Sequence, residues 1–125
     1  FPVTVFPTGD LPICQPPNDP TTTVTLNNLG TLLRLFPRKP FYLTEYGYST
    51  KPSAAFGGFS VSEKTQARYL REAYRVAGSY RQVKLLVWFV LRDQQPQWGP
   101  ETGVYSGLRR TNGERKPAWY AYRRL

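Results

Sequence analysis

The chain has 125 residues, 40% of them hydrophobic, and carries 17 Lys plus Arg against 8 Asp plus Glu, for a net charge of +9. That is one domain's worth of chain or a large part of one, and no run of 18 apolar residues is present to predict a membrane-spanning helix. The absence of histidine and a single cysteine, Cys14, argue against a zinc or copper site, a Ser-His or Cys-His catalytic pair and an intrachain disulfide, so no metal and no cofactor is expected.

In chain order, Phe1 to Phe6 is partly β-branched and fits a short strand. Residues 7–23 hold Pro7, Pro12, Pro16, Pro17 and Pro20 and read as loop. Leu26, Leu29, Leu32, Leu33 and Phe36 then fall on one helical face, with Thr25 available as N-cap and Pro37 as the stop. Residues 41–46 read as a buried strand between Pro40 and Gly47. After a loop rich in Gly, Ser and aromatics, Ser62 opens the most regular helix, with Ala67, Leu70, Ala73, Tyr74 and Ala77 on its apolar face and Gly78 at its end. Val83 to Leu91 is nearly unbroken in its apolarity, as expected of a strand covered on both faces. A long loop over 92–116 leads to a terminal helix from Pro117, with proline in its first turn.

Strand and helix alternate three times, which predicts an α/β fold, βαβαβα with parallel strands, in a single segment spanning 1–125. Periodicity alone leaves an open sheet and a closed barrel equally open. The chain lacks methionine and starts directly on strand-like residues, so it is expected to be the C-terminal portion of a longer protein. No basic-then-apolar leader is present; the compartment stays open, secretion included. The basic residues are scattered, several of them three or four apart on helix faces, which favours a solvated arginine-rich surface over a nucleic-acid footprint or a membrane contact.

Glu45 is the one acidic residue set into an apolar, β-prone run, Phe41-Tyr42-Leu43-Thr44-Glu45-Tyr46-Gly47-Tyr48. A carboxylate at the end of a buried strand is costly unless it is paired or used. In parallel α/β folds, functional groups collect at the carboxyl ends of strands. Tyr46 and Tyr48 follow Glu45; Trp88 lies in the next strand, with Arg92 and Asp93 at its mouth and Trp98 in the loop beyond. A carboxylate framed by aromatic faces suits a carbohydrate, whose apolar faces stack on rings while the acid works at the anomeric carbon. The plainer alternatives are a buried Glu45 bound to an arginine, core roles for Trp88, Tyr46 and Tyr48, and an arginine ion pair for Asp93.

The stretch Phe-Tyr-Leu-Thr-Glu-Tyr-Gly-Tyr resembles the seventh-strand nucleophile motif of the retaining glycoside hydrolases of clan A, cellulase-like enzymes of the family 5 or 39 type. Val-Trp-Phe-Val-Leu-Arg-Asp resembles their eighth strand. Gly107-Leu108, Asn112-Gly113 and Lys116-Pro117-Ala118 resemble the turn and helix that end their barrels. The resemblance covers about residues 24–125. It implies strands six to eight of a (β/α)8 TIM barrel, hydrolysis of O-glycosidic bonds in a β-linked carbohydrate, and Glu45 as the nucleophile. It also implies that Tyr46, Tyr48, Trp88, Trp98 and Asp93 line the substrate site, and that a cis bond joins Trp88 to Phe89. The acid/base of such enzymes comes from an Asn-Glu pair, and this chain has none. The segment alone is therefore expected to be inactive, with its partner either the missing N-terminal barrel half or a second copy. Two other functions stay open: a non-catalytic carbohydrate-binding or assembly module, and a basic nucleic-acid-binding domain.

Overall fold

The computed structural model describes residues 2–4, 24–54, 59–97, 99 and 102–125. The elements run β1 (Pro2–Thr4), α1 (Leu29–Leu35), β2 (Phe41–Tyr46), α2 (Glu63–Gly78), β3 (Val83–Trp88) and α3 (Pro117–Tyr122). All three strands pair in parallel in the order β1-β2-β3. Each strand therefore lies beside its predecessor, as short helical crossovers favour. The predicted alternation and parallel pairing are observed. The proline-rich loop over 7–23, Cys14 and Trp98 lie outside the described residues.

Local chemistry explains the element bounds. The Ser62 hydroxyl accepts the Thr65 N–H at 3.1 Å, and Glu63 sits in the first turn of α2, where it complements the helix dipole. The first helix starts later than its apolar stripe predicts. The Asn28 side chain accepts the Thr25 N–H at 2.7 Å, closing a turn over residues 26–28 before α1 begins at Leu29. Leu26 is nevertheless buried with Leu29 and Leu33, so the stripe marks the core correctly and the helix start too early.

The core lies between the sheet and its helices, built from Leu29 and Leu33 of α1, Phe41 and Leu43 of β2, Leu70 and Ala73 of α2, and Ala118 and Ala121 of α3. The Tyr74 hydroxyl on α2 donates to the Leu86 carbonyl at 2.9 Å, tying helix to strand. The expectation that the third strand is covered on both faces is corrected. Leu86 and Trp88 are buried, but Leu85 is 45% and Val87 37% exposed, and Tyr42 beside them on β2 is 42% exposed. One face of the sheet packs on helices, and no described element covers the other. Regular pairing also stops at Trp88 rather than continuing to Leu91.

Candidate active site

The carboxyl ends of β2 and β3 are held by an unusual backbone. From Leu43 to Tyr46 the second strand advances three residues while its partner advances two, from Leu86 to Trp88. Against β1, the step from Val3 to Thr4 matches Leu43 to Glu45. Thus β2 carries one extra residue around Thr44 and Glu45, a bulge relative to both neighbours. In an unbroken strand Glu45 would share the inward parity of Phe41 and Leu43. The bulge shifts the phase, so Tyr46 turns inward and Glu45 turns out and is exposed. Here the expectation of a buried carboxylate is corrected. Glu45 makes no ion pair with an arginine among the described residues.

Tyr46, Tyr48 and Trp88 do come together, but in the core. Tyr46 packs edge-on against Trp88 at 6.1 Å and against Tyr48 at 5.9 Å, and Tyr48 meets Tyr69 of α2 at 4.8 Å. All three are at least nine-tenths buried. Burial pushes the Tyr46 hydroxyl well above the ordinary tyrosine pKa, reinforced by Tyr48. A ring must offer a free face to stack on a sugar, and here all three rings are packed behind the strand end.

Asp93 also differs from expectation, pairing with a lysine rather than an arginine. The Lys116 Nζ lies 2.8 Å from its carboxylate, and the pair is almost completely buried. Lys116 Nζ also donates to Thr50 Oγ1 at 2.9 Å and to the Tyr105 carbonyl at 3.0 Å, so all three ammonium protons are used. The Asp93 carboxylate accepts the Gly107 N–H at 2.8 Å. Burial pushes the Asp93 carboxyl up from its ordinary value and the Lys116 ammonium down, each opposed by hydrogen bonding and charge from the other. With its oxygens taken inside the fold, Asp93 is not presented to a ligand.

The loops after β2 and β3 are stitched to residues 103–108 around Ser106. The Trp88 Nε1–H donates to the Ser106 carbonyl at 2.7 Å, and the Gln66 amide donates to the same carbonyl at 3.2 Å and to that of Tyr48 at 2.8 Å. The Ser106 hydroxyl donates to the Phe89 carbonyl. The approach is close enough that a Cβ on Gly47 would lie 2.6 Å from the Phe89 carbonyl oxygen, and one on Gly107 2.4 Å from the Asp93 nitrogen. The non-proline cis bond joins Phe89 to Val90, one peptide later than expected. Nothing in the sequence marks Ser106 or Thr50, and Lys116 is visible there only as part of the terminal Lys116-Pro117-Ala118 motif. Gln66 had a signal, a polar residue on the stripe otherwise made by Ala67, Leu70 and Ala73.

No group of three or more potential metal ligands occurs among the described residues. Among the described residues, the arrangement is one exposed carboxylate at a strand end, backed by a packed aromatic cluster and a saturated polar lock.

No protein-family model and no curated protein matches the chain. Solved structures do. The β-glucuronidase of Ruminococcus gnavus, in complex with D-glucuronic acid, aligns at 22% identity with a TM-score of 0.59, over 78% of this chain and 18% of that one. The Faecalibacterium prausnitzii β-glucuronidase aligns at 20% and 0.61, over 79% and 18%. The Bifidobacterium dentium β-glucuronidase complexed with coumarin-3-O-glucuronide aligns at 22% and 0.60, over 77% and 16%. The chain shares its fold with part of these glycoside hydrolases. It spans less than a fifth of their length.

Proposed function

We propose that the chain forms about strands six to eight of a (β/α)8 barrel and supplies Glu45 as the nucleophile of a configuration-retaining glycosidase acting on a β-linked carbohydrate. The observation that carries this reading is the bulge at the end of β2, which turns Glu45 out of the core with no ion pair among the described residues. Bulges gather beside active sites because they re-aim a side chain. The fold shared with β-glucuronidases supports the same reading and makes β-glucuronides the first substrates to test. The uncovered sheet face bearing Tyr42, Leu85 and Val87 supports upstream barrel strands as the missing cover, in preference to a second copy.

In this mechanism a Glu45 oxygen attacks the anomeric carbon as the bond to the leaving group breaks, giving a glycosyl-enzyme ester that water then opens. A second carboxyl protonates the departing oxygen and later takes the proton from water, at about 5–5.5 Å from the nucleophile. Asp93 is poorly suited, being held by Lys116 and Gly107. The acid/base therefore belongs to upstream sequence, and the 125-residue chain alone is expected to be inactive on unactivated glycosides. Trp98 remains the proposed stacking platform, while Tyr46, Tyr48 and Trp88 position the strand end. The test is product stereochemistry in the protein carrying its upstream strands. Proton NMR should show the β-anomer released first and Glu45→Gln should abolish turnover; release of the α-anomer first contradicts the mechanism.

A further inference from the structure

At the opposite end of the sheet, before β2 and β3 begin, lies a cleft of about 400 Å³ lined by Pro37, Arg38, Lys39, Pro40, Arg81, Gln82 and Lys84. Four of the seven lining residues are cationic and none is acidic. None of the four forms a salt bridge among the described residues, and all four are exposed. The salt bridges of the described residues lie away from it: Arg110 pairs with both Glu63 and Glu114 at 2.8 Å, and Lys116 with Asp93. The cleft thus gathers four of the chain's 17 cationic residues with no acid among its described lining residues.

The two loops that carry these charges are fixed to one another. The Gln82 side-chain amide donates to the Phe36 carbonyl at 2.8 Å and to the Lys39 carbonyl at 3.2 Å, and the Phe41 N–H donates to the Gln82 carbonyl at 2.8 Å. Arg38 and Lys39, before β2, and Arg81 and Lys84, just before and at the start of β3, thus line one cleft whose two sides are tied together through Gln82. Like charges held together by a scaffold repel one another, at a cost relieved by a bound anion.

From this we propose that the cleft binds an acidic polysaccharide, a chain bearing sulfate or carboxylate groups, at a site remote from Glu45. The lining favours this class. No aromatic side chain among the described residues lines the cleft, so they offer no base-stacking platform of the kind on which single-stranded nucleic acids depend. The rings of Pro37 and Pro40 give short apolar surfaces between the cations, suited to the faces of sugar rings. The inference is independent of the glycosidase reading, since it uses no residue of the β2 and β3 carboxyl ends.

The experiment is calorimetric titration of the full chain with a heparin hexasaccharide, an oligogalacturonate and a single-stranded oligodeoxynucleotide of matched charge. Both acidic saccharides should bind, and more tightly than the oligonucleotide. If all four cations neutralise anionic groups, counterion release on the single-strand scale weakens binding roughly fifty-fold between about 50 and 200 mM salt. Arg81→Glu with Lys84→Glu should abolish binding. Arg123→Glu with Arg124→Glu, an equal charge change on the terminal segment, should leave most of it. Urea unfolding of both variants separates loss of the site from loss of the fold, because the substituted residues are exposed. Equal losses in the two variants, equal or tighter binding of the oligonucleotide, or no saccharide binding by the folded chain each overturns the proposal.

Discussion

Glu45 and Asp93 follow the same logic in sequence, each an acid at or just past the end of a parallel strand, and they end in opposite surroundings. The first is exposed on a bulged strand end with no ion pair among the described residues. The second is buried, bound to Lys116 and capped by the Gly107 N–H. The contrast teaches that a carboxylate's position along a strand says little about its use; what counts is whether the surrounding backbone supplies partners. Asp93 fastens the loop after β3 to residues 103–108 and to the start of α3. That fastening holds the floor on which the end of β2 rests.

The sharpest way to break this comparison is to remove one partner from each region. Lys116→Met leaves Asp93 buried without its cation, a change expected to cost about 3–5 kcal/mol of stability. Glu45→Gln, at an exposed site, should shift stability by less than ~0.5 kcal/mol. Urea unfolding of the two variants checks both. Equal losses would mean that the two acids do the same structural work. The double change Asp93→Asn with Lys116→Met should be milder than Lys116→Met alone, because no buried charge is stranded.

A smaller effect is expected at Gly47. An added methyl there meets the Phe89 carbonyl oxygen at 2.6 Å, and the backbone must move to admit it. Gly47→Ala should cost about 1–3 kcal/mol, the usual range for overpacking. If thermal unfolding shows no change, the stitching of the two loops is looser than described.

The smallest expected effect is on pH dependence. Burial raises the Asp93 carboxyl above its ordinary value of 3.8. Between that ordinary value and the raised one, the folded state binds more protons than the unfolded state, so this group's contribution falls as pH rises through the window. Measured as urea midpoints across the acid range, the wild type should therefore lose stability relative to Asp93→Asn as pH increases from 3.8 upward. A trend of the opposite sign would mean that the Lys116 charge outweighs burial.

Much of the architecture is legible in the sequence because it rests on short-range chemistry. Ser62, the stripe of Ala67, Leu70 and Ala73, and Gly78 delimit α2 closely, and Pro40 and Gly47 bracket β2. The direction of Glu45 is not legible, since it depends on one residue of slippage between hydrogen-bonded neighbours. The same slippage turns Tyr46 into the core. Lys116 reads as one more surface cation, and only the convergence of Asp93, Thr50 and Tyr105, distant in the chain, makes it a buried lock. The aromatic residues around Glu45 read as a sugar site because composition shows that rings are near, not which face they occupy.

The central claim, that Glu45 is the nucleophile, is tested most directly by trapping. An activated 2-deoxy-2-fluoro-β-glucuronide should be mixed with the protein carrying its upstream strands, and the labelled peptide mapped by mass spectrometry. The account predicts a covalent adduct on Glu45 that is absent from Glu45→Gln and never on Asp93. A label on another carboxylate, with turnover intact in Glu45→Gln, would contradict it.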